Sequence, residues 1–334
     1  MARIAINGLG RIGKLLVRRL IDQGFAHDIV LMNDPGASVE DHAVLLEFDS
    51  VHGRWPRDIA VDGDALVIEG RRIPTTGVKS IEDLPLDGVD LVLDSTGVFK
   101  TAAKIAPYFD AGVGKVLVSA PVKDGGALNL VYGINHDLYD PAQHTIVTAA
   151  SCTTNCLAPV VKVIHEEIGI KHGSITTIHD VTNTQTIVDK PTKNLRRARS
   201  ALTNLIPTTT GSATAITLIY PELKGRLNGH AVRVPLLNAS ITDCVFEVER
   251  PVTAGEVNDL FRAAEAGPLK GILGVEDRAL VSSDYLNDDR SSIIDAQSTM
   301  VINATQLKIY AWYDNEWGYA CRMADIAQMM ADTL

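Results

Sequence analysis

The stretch 149–156, Ala-Ala-Ser-Cys-Thr-Thr-Asn-Cys, combines a thiol with hydroxyls at a junction suited to nucleophilic chemistry. Ahead of it His144–Ala150 reads as a buried strand centred on Ile146 and Val147. Behind it Leu157, Val160, Val161 and Ile164 recur at helical spacing. Cys152 therefore falls in the first turn of a helix, where free backbone N–H groups favour negative charge. A thiol there is pushed toward thiolate, its nucleophilic form. Thr153 and Thr154 add hydroxyl donors beside it, and Cys156, one turn further in, is assigned to core packing. A metal pair is disfavoured, because no second cysteine pair or histidine cluster sits nearby. His179 closes a second strand, Ser174–Asp180. Alone it reads equally well as a core histidine, but at a strand end it can pair with Cys152 as base and proton carrier.

These groups need a frame. Ala2–Asn7 reads as an apolar strand, followed by Gly8-Leu9-Gly10-Arg11-Ile12-Gly13 and then Leu15, Leu16, Val17, Leu20 and Ile21 at helical spacing. A G-x-G-x-x-G between strand and helix is the dinucleotide fingerprint. Gly8 permits the tight turn, Gly10 lets backbone approach a pyrophosphate, and Gly13 lets helix and strand pack closely. Asp34, after the strand Asp28–Asn33, stands where a carboxylate would bind the adenosine ribose hydroxyls and repel a 2′-phosphate, which favours NAD over NADP. The alternative for Asp34 is a turn residue, since Pro35-Gly36 follows. Ser38 and Asp41 signal a helix cap, residues 57–73 short antiparallel strands, and Val89–Asp94 and Lys115–Ser119 further buried strands. Strands alternating with helices imply a doubly wound parallel sheet of Rossmann type, with ligands beyond the strand C-termini.

Past residue 152 the pattern changes. Residues 182–204 are long, polar and basic, with Leu195-Arg196-Arg197-Ala198-Arg199 at their centre. Ile206–Ser212 supplies three threonines and a glycine before a helix. Alternation at Asp243–Val248 gives a half-buried strand, Thr253-x-x-Glu256 a capping box, and 293–302 and Leu307–Tyr313 two more strands. Tyr319, Met323, Ile326 and Met330 mark a closing amphipathic helix. The second part is thus an α+β catalytic domain with a mostly antiparallel sheet. Arg197, Arg233, Thr182, Thr210 and the Gly211 backbone form a candidate anion site, suited to arginine's planar fork. The competing reading of the arginine run is a solvated face or subunit contact.

At 334 residues, 46% apolar and 22% charged, the chain fits a globular protein of two domains. A net charge of −10 gives a nucleic-acid partner no support. Four cysteines without disulfide-like spacing, no leader-like start and no long apolar run predict a cytoplasmic protein without membrane contact.

The stretches INGLGRIGKL, LEFDSVHGRW, STGVF, SAP, ASCTTNCLAP, LRRAR, IPTTTG, PELKGRLNG, RVP and WYDNEWGY together resemble the phosphorylating glyceraldehyde-3-phosphate dehydrogenase family over essentially the whole chain. The resemblance implies an NAD-binding domain of residues 1–151 with the returning helix 316–334, and a catalytic domain of 152–315 containing an S-loop at 182–204. It implies that Cys152 attacks the aldehyde of glyceraldehyde 3-phosphate with His179 as base. A thioester forms, hydride passes to NAD, and inorganic phosphate releases the acyl phosphate. Residues matching Thr182, Arg197 and Arg233 hold the substrate's phosphate, and those matching Ser151, Thr153, Thr210 and Gly211 the attacking phosphate. Arg11, Ile12, Asp34, Ser119 and Asn315 match positions that contact NAD, and the family is a cytosolic homotetramer of glycolysis.

The chain departs from the family pattern at three places. Gly77-Val78-Lys79-Ser80 replaces a common Glu-Arg-Asp-Pro, so that Lys79 is a weak substitute for an adenine-side arginine. Asp180 follows His179 where alanine is usual, and Lys190 stands where leucine is common. These changes resemble a branch encoded with arsenic-resistance genes, in which arsenate replaces phosphate and the product is an arseno-phosphoglycerate. Two alternatives compete: erythrose-4-phosphate dehydrogenase, and a non-catalytic NAD-binding scaffold, against which the presence of both Cys152 and His179 speaks.

Overall fold

A computed structural model describes residues 2–25 and 28–334. The chain divides into two compact units, Met1–Ser151 with Tyr319–Leu334, and Cys152–Gly318.

The first unit runs β1 (Ile4–Asn7), α1 (Arg11–Asp22), β2 (Ile29–Asn33), α2 (Val39–Glu47), β3 (Ile59–Asp62), β4 (Ala65–Ile68), β5 (Arg71–Thr76), β6 (Leu91–Asp94), α3 (Ala102–Asp110), β7 (Lys115–Val118), β8 (Leu128–Asn129) and β9 (Ile146–Thr148). Among the described residues its sheet has the order β3-β4-β5-β2-β1-β6-β7-β9-β8. From β5 through β9 to β8 the neighbours pair in parallel, and the hairpin β3–β4–β5 is antiparallel. All four residues of β1, β6 and β7 are buried, as continuous apolar runs in a sheet covered on both faces should be. Strand order reverses between β1 and β6, the switch point beyond which such sheets bind ligands. Beneath it a buried chain of side chains closes the strand ends. Asn33 Nδ2 donates to Asn7 Oδ1 (2.8 Å), Asn7 Nδ2 to the Tyr108 hydroxyl (2.5 Å), and Tyr108 to Asp94 Oδ2 (2.8 Å). The cap expected at Ser38 is present in full: its hydroxyl accepts from Asp41 N–H and the Asp41 carboxylate accepts from Ser38 N–H.

The second unit contains α4 (Cys152–Glu167), β10 (Ile170–His179), β11 (Ile206–Thr209), α5 (Ser212–Ile219), β12 (Leu227–Arg233), β13 (Ser240–Val248), α6 (Ala254–Ala266), β14 (Leu273–Glu276), β15 (Ser292–Asp295), β16 (Met300–Ile302) and β17 (Gln306–Tyr313). The closing helix α7 (Trp317–Ala331) belongs to the first unit from Tyr319 on. The sheet order is β11-β12-β10-β13-β17-β15-β14, with β16 against β17. Among the described residues only β10–β12 and β14–β15 of these strands pair in parallel, so the sheet is mostly antiparallel as expected. Cys244, Phe246 and Val248 are buried on one face of β13, while Asp243, Val245 and Glu247 alternate with them, partly exposed.

Two local expectations need correction. Residues 293–302 are not one strand: Asp295 Oδ1 accepts from Ser298 N–H (3.1 Å) and turns the chain into a short 3₁₀ segment between β15 and β16. The box at Thr253 is only half formed. Its hydroxyl accepts from Glu256 N–H (3.2 Å), but the Glu256 carboxylate is taken by Arg250 Nη1 (2.7 Å).

Candidate active site

The glycine fingerprint sits between β1 and α1, at the switch point. Gly8 has φ +97°, and a Cβ there would lie 2.6 Å from the Ser95 carbonyl carbon. A Cβ on Gly13 would lie 1.8 Å from the Gly8 oxygen. Both glycines are demanded by the fold itself. Gly10 is different: φ is −69°, open to any residue, and a Cβ would meet nothing within 4 Å. The space in front of Gly10 is open, and Gly10 brings no capping side chain to the N-terminus of α1. That combination suits a pyrophosphate drawn to first-turn N–H groups.

Asp34 is half-buried at the end of β2 and held from both sides. Leu9 N–H donates to its Oδ2 and Gly36 N–H to its Oδ1, each at 2.7 Å. Its remaining lone pairs can accept ribose hydroxyls. Arg11, the first residue of α1, pairs with Asp49 through both guanidinium NH₂ groups. Burial works against the Asp49 charge, but Arg11 and the N–H groups of His52 and Val51 outweigh it and hold the carboxyl at about 2. Ile12 is half-buried in the same turn, Ser119 half-buried just past β7, and Lys79 exposed beyond β5. The residues of this unit thus fit a dinucleotide.

In the second unit strand ends converge on the thiol. Cys152 is the first residue of α4. Ala150, two residues before it, has φ +51°, a conformation costing a non-glycine residue about 1 kcal/mol and found where a tight turn aims a functional side chain. His179 ends β10 and lies opposite Arg233, the last residue of its parallel neighbour β12. Ser240 opens β13 opposite Tyr313, which ends β17, and Asn315 follows two residues on. The ladder therefore delivers four side chains to one end of the sheet, with Asn315 just beyond it.

Cys152 Sγ is 3.7 Å from His179 Nε2, a sulfur hydrogen-bond distance, and Cys152 is partly exposed while His179 is buried. The ring of Tyr313 stands edge-on to His179 with centroids 6.1 Å apart. Behind the imidazole, Nδ1 lies 2.5 Å from Asp180 Oδ1 and 2.9 Å from the Asp180 carbonyl oxygen. Burial by itself lowers the His179 pKa, but the Asp180 contact and the Cys152 sulfur more than reverse that and raise it to about 9. Arg233 Nη1 lies 2.7 Å from the same Nδ1 and donates to the Asp180 carbonyl oxygen at 3.0 Å. Burial, the largest influence, lowers the pKa of Arg233, yet an arginine stays charged.

Arg233 Nε is buried without a hydrogen-bond partner, as is Gln185 Nε2. Orphaned donors of this kind call for an acceptor from outside the chain. Thr182 Oγ1 is within 2.9 Å of Thr184 Oγ1, and Arg197 Nη1 donates to Thr184 Oγ1 at 2.7 Å, so Thr182 and Arg197 share one cluster. Thr210 and the exposed Gly211 form the turn into α5, where Ser212 N–H donates to Thr210 Oγ1 (3.2 Å). Ser151 is half-buried immediately before Cys152.

Two placements differ from the sequence reading. Thr154 is buried, 2% exposed, and offers no open donor. Thr153 is also buried, its hydroxyl 3.0 Å from the Tyr313 hydroxyl, which is 2.8 Å from Thr177 Oγ1. Cys156 packs in the core against Ser292 Oγ and the Ala311 carbonyl oxygen, each at 3.7 Å. Sequence reasoning missed Ser240 and Tyr313, since nothing local marks them; only the β13–β17 register brings them here. The sequence places Asp180 beside the base, but the direction of its carboxylate is set only by the fold. Among the described residues no cluster of His, Cys, Asp or Glu could hold a metal ion.

The family model described as glyceraldehyde 3-phosphate dehydrogenase, NAD binding domain, matches residues 2–102, and that of the C-terminal domain matches residues 151–315. The chain is 58% identical over 335 residues to glyceraldehyde-3-phosphate dehydrogenase 3 of Nostoc sp., covering 99% of each. It is 46% identical to the glyceraldehyde-3-phosphate dehydrogenase of Geobacillus stearothermophilus over 98% of each, and 45% identical to that of Streptomyces coelicolor over 99% of each. A nucleotide cradle on a doubly wound sheet, a thiol–imidazole pair and these full-length matches agree: the chain belongs to the glyceraldehyde-3-phosphate dehydrogenase family.

Proposed function

We propose that this NAD-dependent oxidoreductase converts glyceraldehyde 3-phosphate and inorganic phosphate to the 1,3-bisphosphoglycerate acyl phosphate. The observation that carries the reading is Cys152 Sγ at 3.7 Å from His179 Nε2, beside a half-buried arginine, Arg233, whose buried Nε has no partner. Gly8, Gly10, Arg11, Ile12, Gly13, Asp34, Lys79, Ser119 and Asn315 are the residues proposed to hold NAD. When bound, NAD supplies the hydride acceptor.

The Cys152 thiolate attacks the aldehyde carbon, and the Cys152 backbone N–H stabilises the oxyanion that forms. His179 protonates that oxygen from Nε2 and takes the proton back as the carbon is oxidised, leaving a thioester on Cys152. Arg233, Arg197 and Thr182 hold the sugar phosphate, whose charge answers two guanidinium groups. Ser151, Thr153, Thr210 and Gly211 receive the inorganic phosphate, whose oxygen attacks the thioester carbonyl and expels the Cys152 thiolate. Since Thr153 is tied to Tyr313, its part requires that hydroxyl to turn. Arsenate, a near-isostere of phosphate, fits the same groups and would give 1-arseno-3-phosphoglycerate.

A cytoplasmic homotetramer is part of the proposal. Ile187, Val188, Leu195 and Leu205 are between 69% and 82% exposed in and beside the 182–204 segment, a cluster that suits burial by further copies of the chain. The four cysteines are free, and no helix of the described residues is long and apolar enough to cross a membrane.

Initial-rate measurements test the reading. NAD reduction should require both the aldehyde and phosphate or arsenate, and kcat/KM should favour glyceraldehyde 3-phosphate over erythrose 4-phosphate. Steady turnover without an inorganic anion, or preference for the four-carbon sugar, would overturn it. Phosphate and arsenate compared at matched low concentration separate the two co-substrates.

A further inference from the structure

Asp180 occupies a position that the reaction described above does not use. It is 1% exposed, yet its carboxylate is fully engaged. Oδ1 lies 2.5 Å from His179 Nδ1 and accepts from Ser240 Oγ at 3.3 Å, and Oδ2 accepts from Asn315 Nδ2 at 2.9 Å. Ser240 Oγ in turn accepts from Asp180 N–H (3.2 Å) and lies 3.0 Å from Asn315 Oδ1. One carboxylate thus touches both the base and the amide proposed to meet the cofactor.

Two charged groups compete for His179 Nδ1. A carboxylate oxygen at 2.5 Å requires a proton between it and the nitrogen, because two lone pairs at that distance repel. The Arg233 Nη1 at 2.7 Å can only donate, and so asks the same nitrogen to be bare. Both demands cannot be met. Arg233 has an alternative acceptor in the Asp180 carbonyl oxygen at 3.0 Å, whereas a bare Nδ1 would leave the buried carboxylate facing a lone pair. The proton therefore stays on Nδ1. The other groups facing the ring are the Cys152 sulfur on α4 and the Tyr313 phenol on β17; Arg197 acts on Arg233 from further out.

We propose that Asp180 is a positioning residue that completes a Cys152–His179–Asp180 triad. Its carboxylate holds the Nδ1 proton of His179 against Arg233, keeps the ring charged, and aims Nε2–H at the Cys152 sulfur. The thiolate is then paired with an imidazolium rather than with a neutral ring. Without the carboxylate, Arg233 donates to Nδ1, the ring becomes the neutral Nε2–H form, and the sulfur loses its counter-charge. This inference rests on the roles given to Cys152 and His179 in the proposed reaction.

Asp180→Asn removes the charge and keeps an oxygen that can accept from Nδ1. The alkaline limb of kcat/KM against pH should move down by at least about one pH unit, a tenfold loss of proton affinity at His179. The ultraviolet thiolate absorbance at neutral pH should fall, and alkylation of Cys152 by iodoacetamide should slow. Asp180→Glu, which restores the charge, should recover part of each change. A role in packing alone predicts a uniform loss of rate with the limb and the thiolate signal unmoved, and that result would overturn the triad. If Asp180→Asn fails to fold, the same readouts in Asp180→Glu decide, since there the limb should stay above that of a neutral ring. Thiolate absorbance and alkylation need no substrate, so they test the triad even if the enzyme proves inactive on glyceraldehyde 3-phosphate.

Discussion

Valine placed at Gly13 and at Gly10 should separate a glycine the fold requires from one the cofactor requires. At Gly13 the new Cβ would sit 1.8 Å from the Gly8 oxygen, 2.9 Å from its carbonyl carbon and 3.4 Å from Ser95 Cβ. The first contact is with backbone, so α1 must lift away from β1. Overpacking of this kind costs about 3 kcal/mol, which in a unit of this size lowers Tm by about 10 °C. At Gly10 the backbone is already in a region valine can adopt, and nothing lies within 4 Å. Loss of a favourable N-cap residue costs only about 0.5–1 kcal/mol there, a few degrees at most. The valine methyls would fill the open space in front of the α1 N-terminus, and NAD affinity should drop by at least about tenfold. Thermal melts with and without NAD, with Kd by fluorescence titration, read both effects. Gly10→Val with unchanged Kd would refute the idea that a pyrophosphate passes over Gly10. Gly13→Val as stable as the parent chain would refute the packing argument.

Other outcomes follow from the cysteines and the histidine. Burial pushes the Cys156 thiol up to about 12 and raises the Cys244 thiol well above its ordinary value, so brief iodoacetamide treatment near neutral pH should modify Cys152 alone; a peptide map with adduct on Cys156 would contradict this. The His179 pKa rises from 6.5 to about 9 on folding, so its contribution is complete below the unfolded value and is lost as pH climbs through about 9. The shift corresponds to about 3 kcal/mol at most. Urea midpoints from about pH 6 to about pH 9.5 should therefore fall for the parent chain relative to His179→Asn. Parallel curves for the two proteins would count against the charged, carboxylate-bound ring.

How much of this was legible depended on whether the signal was local. Strand β1, the glycine loop and α1 follow from periodicity and spacing within a few residues. So do the Ser38 cap and the position of Cys152 at the start of α4, because the forces that set them act along the chain. The partners of His179 do not. Arg233 arrives through the parallel β10–β12 ladder, and Ser240 and Tyr313 through registers with β13 and β17. Asp180 was visible as an odd residue beside the base, yet its side-chain direction is set by Ser240 and Asn315, distant in sequence. The sequence shows Thr153 as a hydroxyl beside the thiol, but not that the Tyr313 hydroxyl, 160 residues on, meets it inside the fold. The break at residues 296–298 is not legible locally, because apolar residues on both sides mask the turn made by Asp295.

The central claim is that Cys152 carries the acyl group. The enzyme mixed with glyceraldehyde 3-phosphate and excess NAD, without phosphate or arsenate, should give a burst of reduced NAD equivalent to the enzyme present and then stall. Intact-mass and peptide analysis should find the phosphoglyceroyl group on Cys152, released on adding phosphate. Continued turnover without the anion, or a burst with Cys152 unmodified, would contradict the account.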